Sequence, residues 1–140
     1  MEANAILQPV FVVGLLTIVM AIWMGTTRIP AMAKRNIDPQ KAQNTSNLHD
    51  LLPPELMRIS NNYNHLFEQP TLFYAVAISI ALLGHVDSFN VTCAWAYAGL
   101  RIAHSLVQAT VDHVMTRFTL FLLSWIALGT MTIREALAVF

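Results

Sequence analysis

From Ala3 to Thr27 the chain carries no charged side chain, and Ile6 to Met24 is an almost unbroken apolar run. A hydrocarbon core about 30 Å thick takes roughly 20 apolar residues per helix. The run therefore predicts a first transmembrane span over about 5–27, with Pro9 in its opening turn, where a missing N–H costs little. Only Glu2 precedes it, where a signal peptide would carry bases, so the span is expected to be retained. Three more apolar stretches follow, each interrupted or bordered by a polar group. Gln69–Gly84 is charge-free but begins after Glu68; Phe89–Val111 contains Arg101 and His104; Phe118–Ile133 is charge-free but begins after Arg117. They predict spans over about 64–84, 89–111 and 116–134, with a polar loop over about 28–63 in which a helix restarts after Pro54.

Segments such as Leu72–Leu83 and Phe118–Met131 are apolar on every face. A soluble bundle would need polar outer stripes on these helices, and they have none. The expected fold class is an all-α membrane protein: a single domain over 1–140 with four transmembrane helices in a left-handed bundle. Composition agrees. Hydrophobic residues make up 56% of the chain and charged residues only 11%. An average soluble domain carries about 25% charged residues. Eight acids balance eight bases, so no basic surface is available for nucleic acid. The single cysteine, Cys93, excludes a disulfide framework and any cysteine-based zinc site. Within an apolar helix it reads as packing, as do Met20, Met24, Met115 and Met131.

Five of the eight bases, Arg28, Lys34, Arg35, Lys41 and Arg58, lie between the first two spans. The positive-inside rule then makes that loop cytoplasmic and puts both termini on the other side, with Arg134 running against the trend. The sequons at Asn44 and Asn90 read as chance matches, one cytoplasmic and one too close to the bilayer.

With this topology and a rise of about 1.5 Å per residue, Glu68 lies roughly 6 Å, His104 roughly 10 Å and Arg101 roughly 15 Å inside the cytoplasmic boundary. Arg117 sits at the cytoplasmic mouth of the last span. Helical spacing predicts two polar stripes: Asn61, Asn64, His65, Glu68, Ala75 and Ser79 on one helix, and Arg101, His104, Ser105, Gln108 and Asp112 on the next. Charges inside a bilayer are rare and need partners or water. The stripes therefore predict a shared hydrophilic cavity open to the cytoplasm, or more simply a Glu68–Arg101 ion pair that fixes packing. His65 and Glu68 have the spacing of half a carboxylate-bridged metal site, but one intramembrane Glu is too few and Arg101 would repel a cation, so no metal is expected. A cavity with two arginines, a histidine, amides and no nucleophile of its own suits an anion that brings its own reactive group, such as an anionic thiol.

The residues that build this cavity carry a resemblance. Asn61-Asn-Tyr-Asn-His-Leu-Phe-Glu68-Gln-Pro70-Thr-Leu-Phe73-Tyr resembles the second-span signature of the MAPEG family, membrane-associated proteins in eicosanoid and glutathione metabolism, with a microsomal-glutathione-transferase-like pattern. Ala94-Trp-Ala-Tyr97 and Leu100-Arg101-Ile-Ala-His104-Ser resemble its third span, and Arg117 stands at the spacing of its fourth-span arginine. The resemblance implies a homotrimer, with glutathione as co-substrate held between subunits near the cytoplasmic face and a lipophilic small molecule arriving among the membrane lipids. By similarity Glu68 meets the glutathione amine, Asn64, Arg101, His104 and Gln108 line the pocket, and Arg117 holds the thiolate. The implied activity is that of a glutathione-dependent transferase or peroxidase. The chain has Asn61 and Asn64 where glutathione-using members carry Arg, and Gln108 in place of a third-span Tyr. These departures keep a second reading open, a non-catalytic lipid-binding or scaffold protein.

Overall fold

The computed structural model describes residues 1–140 and is helical throughout. Five α-helices follow in order: α1 (Ala3–Lys34), α2 (Pro54–His65), α3 (Gln69–Leu83), α4 (Ser88–Ala109) and α5 (Val114–Val139). Two short 3-10 turns, Pro39–Ala42 and Thr45–His49, fill the loop after α1. Ala3–Lys34, the nearly continuous Pro54–Leu83 stretch and Val114–Val139 are long and apolar enough to cross a membrane, with mean hydropathies of 2.4, 1.6 and 1.5. The fourth expected span, α4, has sufficient length at 22 residues. It does not join that group, because the predicted polar stripe is built into it and is buried against its neighbours.

The loop expected over 28–63 needs correction at its start. Helix α1 runs on past Thr27 and through Pro30 to Lys34, 32 residues in all. The charge at Arg28 marks the end of the apolar run, but nothing there ends the helix. Its stop is Asn36, at φ 50°. Beyond it the Ile37 N–H reaches back to Met32 O at 3.0 Å, closing the helix end. At about 1.5 Å per residue α1 is about 48 Å long, well beyond a hydrocarbon core of about 30 Å. Its last turns carry a small separate core in which Leu48, Leu52 and Met57 pack with Met32 and Ile37. The helix expected after Pro54 is α2.

The second predicted span is interrupted. Pro70 has no N–H and restricts the residue before it, so a continuous helix cannot run through Leu66–Glu68. The bonds tighten to the three-residue type there. Phe67 N–H donates to Asn64 O at 3.1 Å and Glu68 N–H to His65 O at 3.2 Å. Glu68 leaves helical conformation (φ −93°, ψ −99°) before α3 starts afresh. Gly84 ends α3 in the left-handed region, at φ 73°, a backbone conformation that a side chain would strain.

The main core lies between α1, α3, α4 and α5 in the half nearer the termini, where Ile6, Val13, Phe73, Ile80, Tyr97 and Leu128 are all fully buried. Tyr97 stacks on Phe73 with ring centroids 4.2 Å apart. A smaller cluster of Met20, Ile59, Leu66 and Ala109 closes the opposite half. Outward faces stay apolar, as at Phe11, Ile18 and Ile22 on α1 and Leu122 and Ile126 on α5. Such a surface belongs in lipid or against another apolar surface.

Both termini and the α3–α4 turn share one end of the bundle. The Met1 ammonium donates to Val86 O at 3.4 Å, and His85 Nδ1 lies 2.6 Å from Glu135 Oε1. Arg134 donates to both carboxylate oxygens of Asp87, with Nη1–Oδ1 at 3.0 Å, and its guanidinium lies over Phe89. The base that ran against the charge asymmetry is therefore partnered. Asn90 is buried and donates to His85 O at 3.2 Å, so its sequon is sterically closed. The Arg134 guanidinium, together with the Asn90 N–H, holds the Asp87 carboxyl below the usual carboxylate range. A depressed folded value contributes stability above the unfolded carboxylate pKa, about 3.9, and that contribution is lost as pH falls through the lower folded value. Asp87→Asn is expected to flatten the acid limb of the melting-temperature profile, with a small change at neutral pH because both partners are half exposed and screened. Melting curves between about pH 3 and 7 check this; parallel limbs in the two proteins contradict it.

Candidate functional site

The predicted stripe on α4 forms. Tyr97, Arg101, His104, Ser105 and Gln108 are all buried, at steps of three and four residues, facing the other helices. Asp112, the last member, lies beyond the end of α4 in the turn to α5 and is half buried. On the preceding segment the stripe is displaced. The three-and-four spacing runs on across the break at Leu66–Glu68, with Asn62, Leu66, Gln69, Phe73 and Ile80 inward, while Asn64, Glu68, Ala75 and Ser79 lie on another face and look out. The predicted residues do share a face, but it is the one turned away from the core.

The displacement dissolves the expected Glu68–Arg101 pair within one chain. Glu68 is two-thirds exposed and pairs with His65, Nδ1 to Oε2 at 3.2 Å. Arg101 is 1% exposed and donates through Nη1 to Gln69 Oε1 at 3.4 Å. The Ser124 hydroxyl of α5 lies 3.0 Å from the same oxygen and 2.7 Å from Phe121 O. Gln69 thus gathers α3, α4 and α5 around one amide. Neither Gln69 nor Ser124 is among the predicted site residues. The available signals were an amide directly before Pro70 and a lone hydroxyl in an apolar run. Around this junction Arg101 Nε and Nη2, His104 Nδ1, Ser105 Oγ and Gln108 Oε1 are buried without a partner in the chain. So dense a set of buried polar atoms without partners in the chain makes this region the candidate site.

Toward the polar-loop end, the layer opens into a cavity of about 210 Å³ lined by His65, His104, Val114, Arg117, Phe118 and Phe121. The His65 and His104 rings meet edge-on with centroids 6.4 Å apart. Arg117, in the first turn of α5, is 30% exposed and donates from Nη1 to Asp112 Oδ1 at 2.6 Å. On the other carboxylate oxygen, Arg58 of α2 approaches through Nε at 3.7 Å and donates from Nη1 to Thr110 O at 3.0 Å. Arg28 of α1 donates to Ser60 Oγ of α2 and joins the same end. Of the predicted residues, the structure brings His104 and Arg117 to one cavity and buries Arg101 and Gln108 beside it. It leaves Asn64 and Glu68 on the outer surface of the chain. No group of three or more metal-ligating side chains converges anywhere.

A helical bundle with three apolar helices of membrane-spanning length, and with an arginine, two histidines, two Phe and a Val lining a cavity at one end, has the make-up of a small polytopic membrane protein. Comparison with sequence families places it further. The MAPEG family profile matches residues 6–137, nearly the whole chain, and the protein belongs to that family of helical membrane bundles of eicosanoid and glutathione metabolism. No curated protein and no solved structure matches it.

Proposed function

We propose that the protein is an integral membrane glutathione-dependent transferase or peroxidase that works at the cytoplasmic mouth of a homotrimer. One observation carries the reading: Arg117, His104 and His65 share a cavity whose other three residues, Val114, Phe118 and Phe121, are apolar. A guanidinium in that setting stabilises an anion while the apolar wall receives a lipophilic partner. The glutathione thiol gives up its proton to water, and its sulfur, held as thiolate by Arg117, forms the new bond to the electrophile as the leaving group departs with its electron pair.

The residues fit glutathione only in part within one chain. The cavity measures about 210 Å³. Small-molecule sites usually exceed roughly 300 Å³. Glu68, the residue for the glutathione amine, and Asn64, expected to line the pocket, face outward. Both facts support a site completed by a neighbouring subunit, onto which the outward stripe of α3 would look. Five bases in the segment around the cavity support its facing the cytoplasm, with both termini on the opposite side.

The alternative, a non-catalytic lipid-binding or scaffold protein, is favoured by the apolar groove of about 430 Å³ between α1 and α3, lined by Phe11, Leu66, Phe67 and Ile78 among others. An acyl chain fits such a groove. Melting curves of the detergent-solubilised protein separate the two. Glutathione at about 100 times its Kd is expected to stabilise by about 2.7 kcal/mol. Stabilisation by fatty acids with none by glutathione would transfer the fold to the scaffold reading.

A further inference from the structure

Asp112 has no part in the proposed chemistry, yet it touches the residue at its centre. It follows α4 in the turn to α5 at φ 50°. Asp and Asn tolerate this left-handed conformation far better than most residues. Its N–H reaches back to Val107 O at 2.7 Å, which fixes the turn. Its two oxygens face two arginines from different helices, Arg117 of α5 at 2.6 Å and Arg58 of α2 at 3.7 Å. Arg58 is held independently by Thr110 O, so one of the two groups that approach the carboxylate is itself restrained. An arginine side chain at a membrane boundary otherwise has many rotamers open to it and water within reach. Here one Nη1 hydrogen bond anchors it, leaving the rest of the guanidinium fork to the cavity that Arg117 lines.

We propose that Asp112 is a positioning residue that aims Arg117 into the cavity, with Arg58 bracing it from α2. The inference rests on the reading of Arg117 as the thiolate partner. A merely opposing charge at Asp112 would act in the reverse direction, weakening the field of Arg117 on a bound anion, and this makes the two roles separable. The other titratable or charged groups around Arg117 are His65 with its partner Glu68, His104 across the cavity, and His113, whose Nδ1 lies 2.8 Å from Thr116 Oγ1. None of them contacts Asp112 in place of the arginines.

The test compares the full-length wild-type protein with Asp112→Asn and Asp112→Gly. Both substitutions accept the left-handed backbone and both remove the carboxylate. Two readouts are taken: the ultraviolet thiolate signal of bound glutathione as a function of pH, and the rate at which phenylglyoxal modifies Arg117, mapped by peptide mass spectrometry. In both variants Arg117 should be modified several-fold faster, while Arg35, exposed and remote, keeps its rate. The thiolate midpoint should move to higher pH by about one unit, a tenfold loss of thiolate at fixed pH on the low side. An unchanged Arg117 rate, or a midpoint moving to lower pH, overturns the proposal while leaving glutathione chemistry intact. Absence of any thiolate signal in the wild type removes the function that Asp112 would serve, and overturns both readings together.

Discussion

Glutamine in place of Arg117 is expected to cut turnover with an aryl halide or a lipid hydroperoxide by about 10²-fold, the loss typical of removing one donor to a developing anion. Glutathione affinity should change much less, because the rest of the tripeptide is held elsewhere. A free thiol ionises near pH 8.5, and each unit by which Arg117 lowers that value corresponds to about 1.4 kcal/mol. The pH at which bound glutathione ionises should therefore rise in the variant. Arg117→Lys should recover only part of the loss, since an ammonium keeps the charge but lacks the fork that bonds Asp112 while facing the cavity. Steady-state rates against pH, with glutathione and acceptor varied separately, check this. An arginine that serves only to anchor α5 at the membrane boundary would leave turnover unchanged in both variants.

The second large effect concerns stability and has the opposite sign from most core substitutions. Arg101→Met is expected to stabilise the bundle, by about 1–4 kcal/mol, the range seen when buried ionic groups give way to apolar side chains of similar volume. Within its chain Arg101 has a single long hydrogen bond, to a neutral amide, and two of its nitrogens have no partner. Desolvation of such an ion costs several kcal/mol. One bond of 3.4 Å offsets little of it. Methionine follows the same path through the core and leaves Gln69 bonded to Ser124. Unfolding in mixed micelles measures the change. Marked destabilisation would mean that an anionic group from outside the chain completes Arg101, and the same variant combined with Glu68→Gln would then show whether Glu68 supplies it.

Much of this architecture is legible in the sequence because two signals are strong. Apolar length locates the membrane segments, and the three-and-four spacing of Arg101, His104 and Gln108 finds the inward face of α4. The same spacing fails one helix earlier for a reason that is itself written in the chain. Two faces there carry polar groups at that spacing, Asn61–Asn64–Glu68 and Asn62–Gln69, and the one continued by the apolar Leu66, Phe73 and Ile80 is the face that is buried. The extension of α1 escapes the pattern because charge at Arg28 ends hydrophobicity without ending helicity. The pairings of Arg117 and Arg58 with Asp112 depend on a turn conformation and on two distant helices meeting, which no periodicity within one segment expresses.

The interruption at Leu66–Glu68 also sets how this protein can vary. In a straight helix, inserting one residue turns everything beyond it by about 100° and carries a buried face out into lipid. Here the backbone ladder is interrupted by a short irregular link, so the two parts of the second segment are not held by one continuous run of hydrogen bonds. Changes in α2, whose Arg58 is partly exposed at the polar-loop end, need not propagate into the outward face of α3. The polar-loop end of the molecule can thus be altered while Gln69 and Phe73 keep their hold on the core.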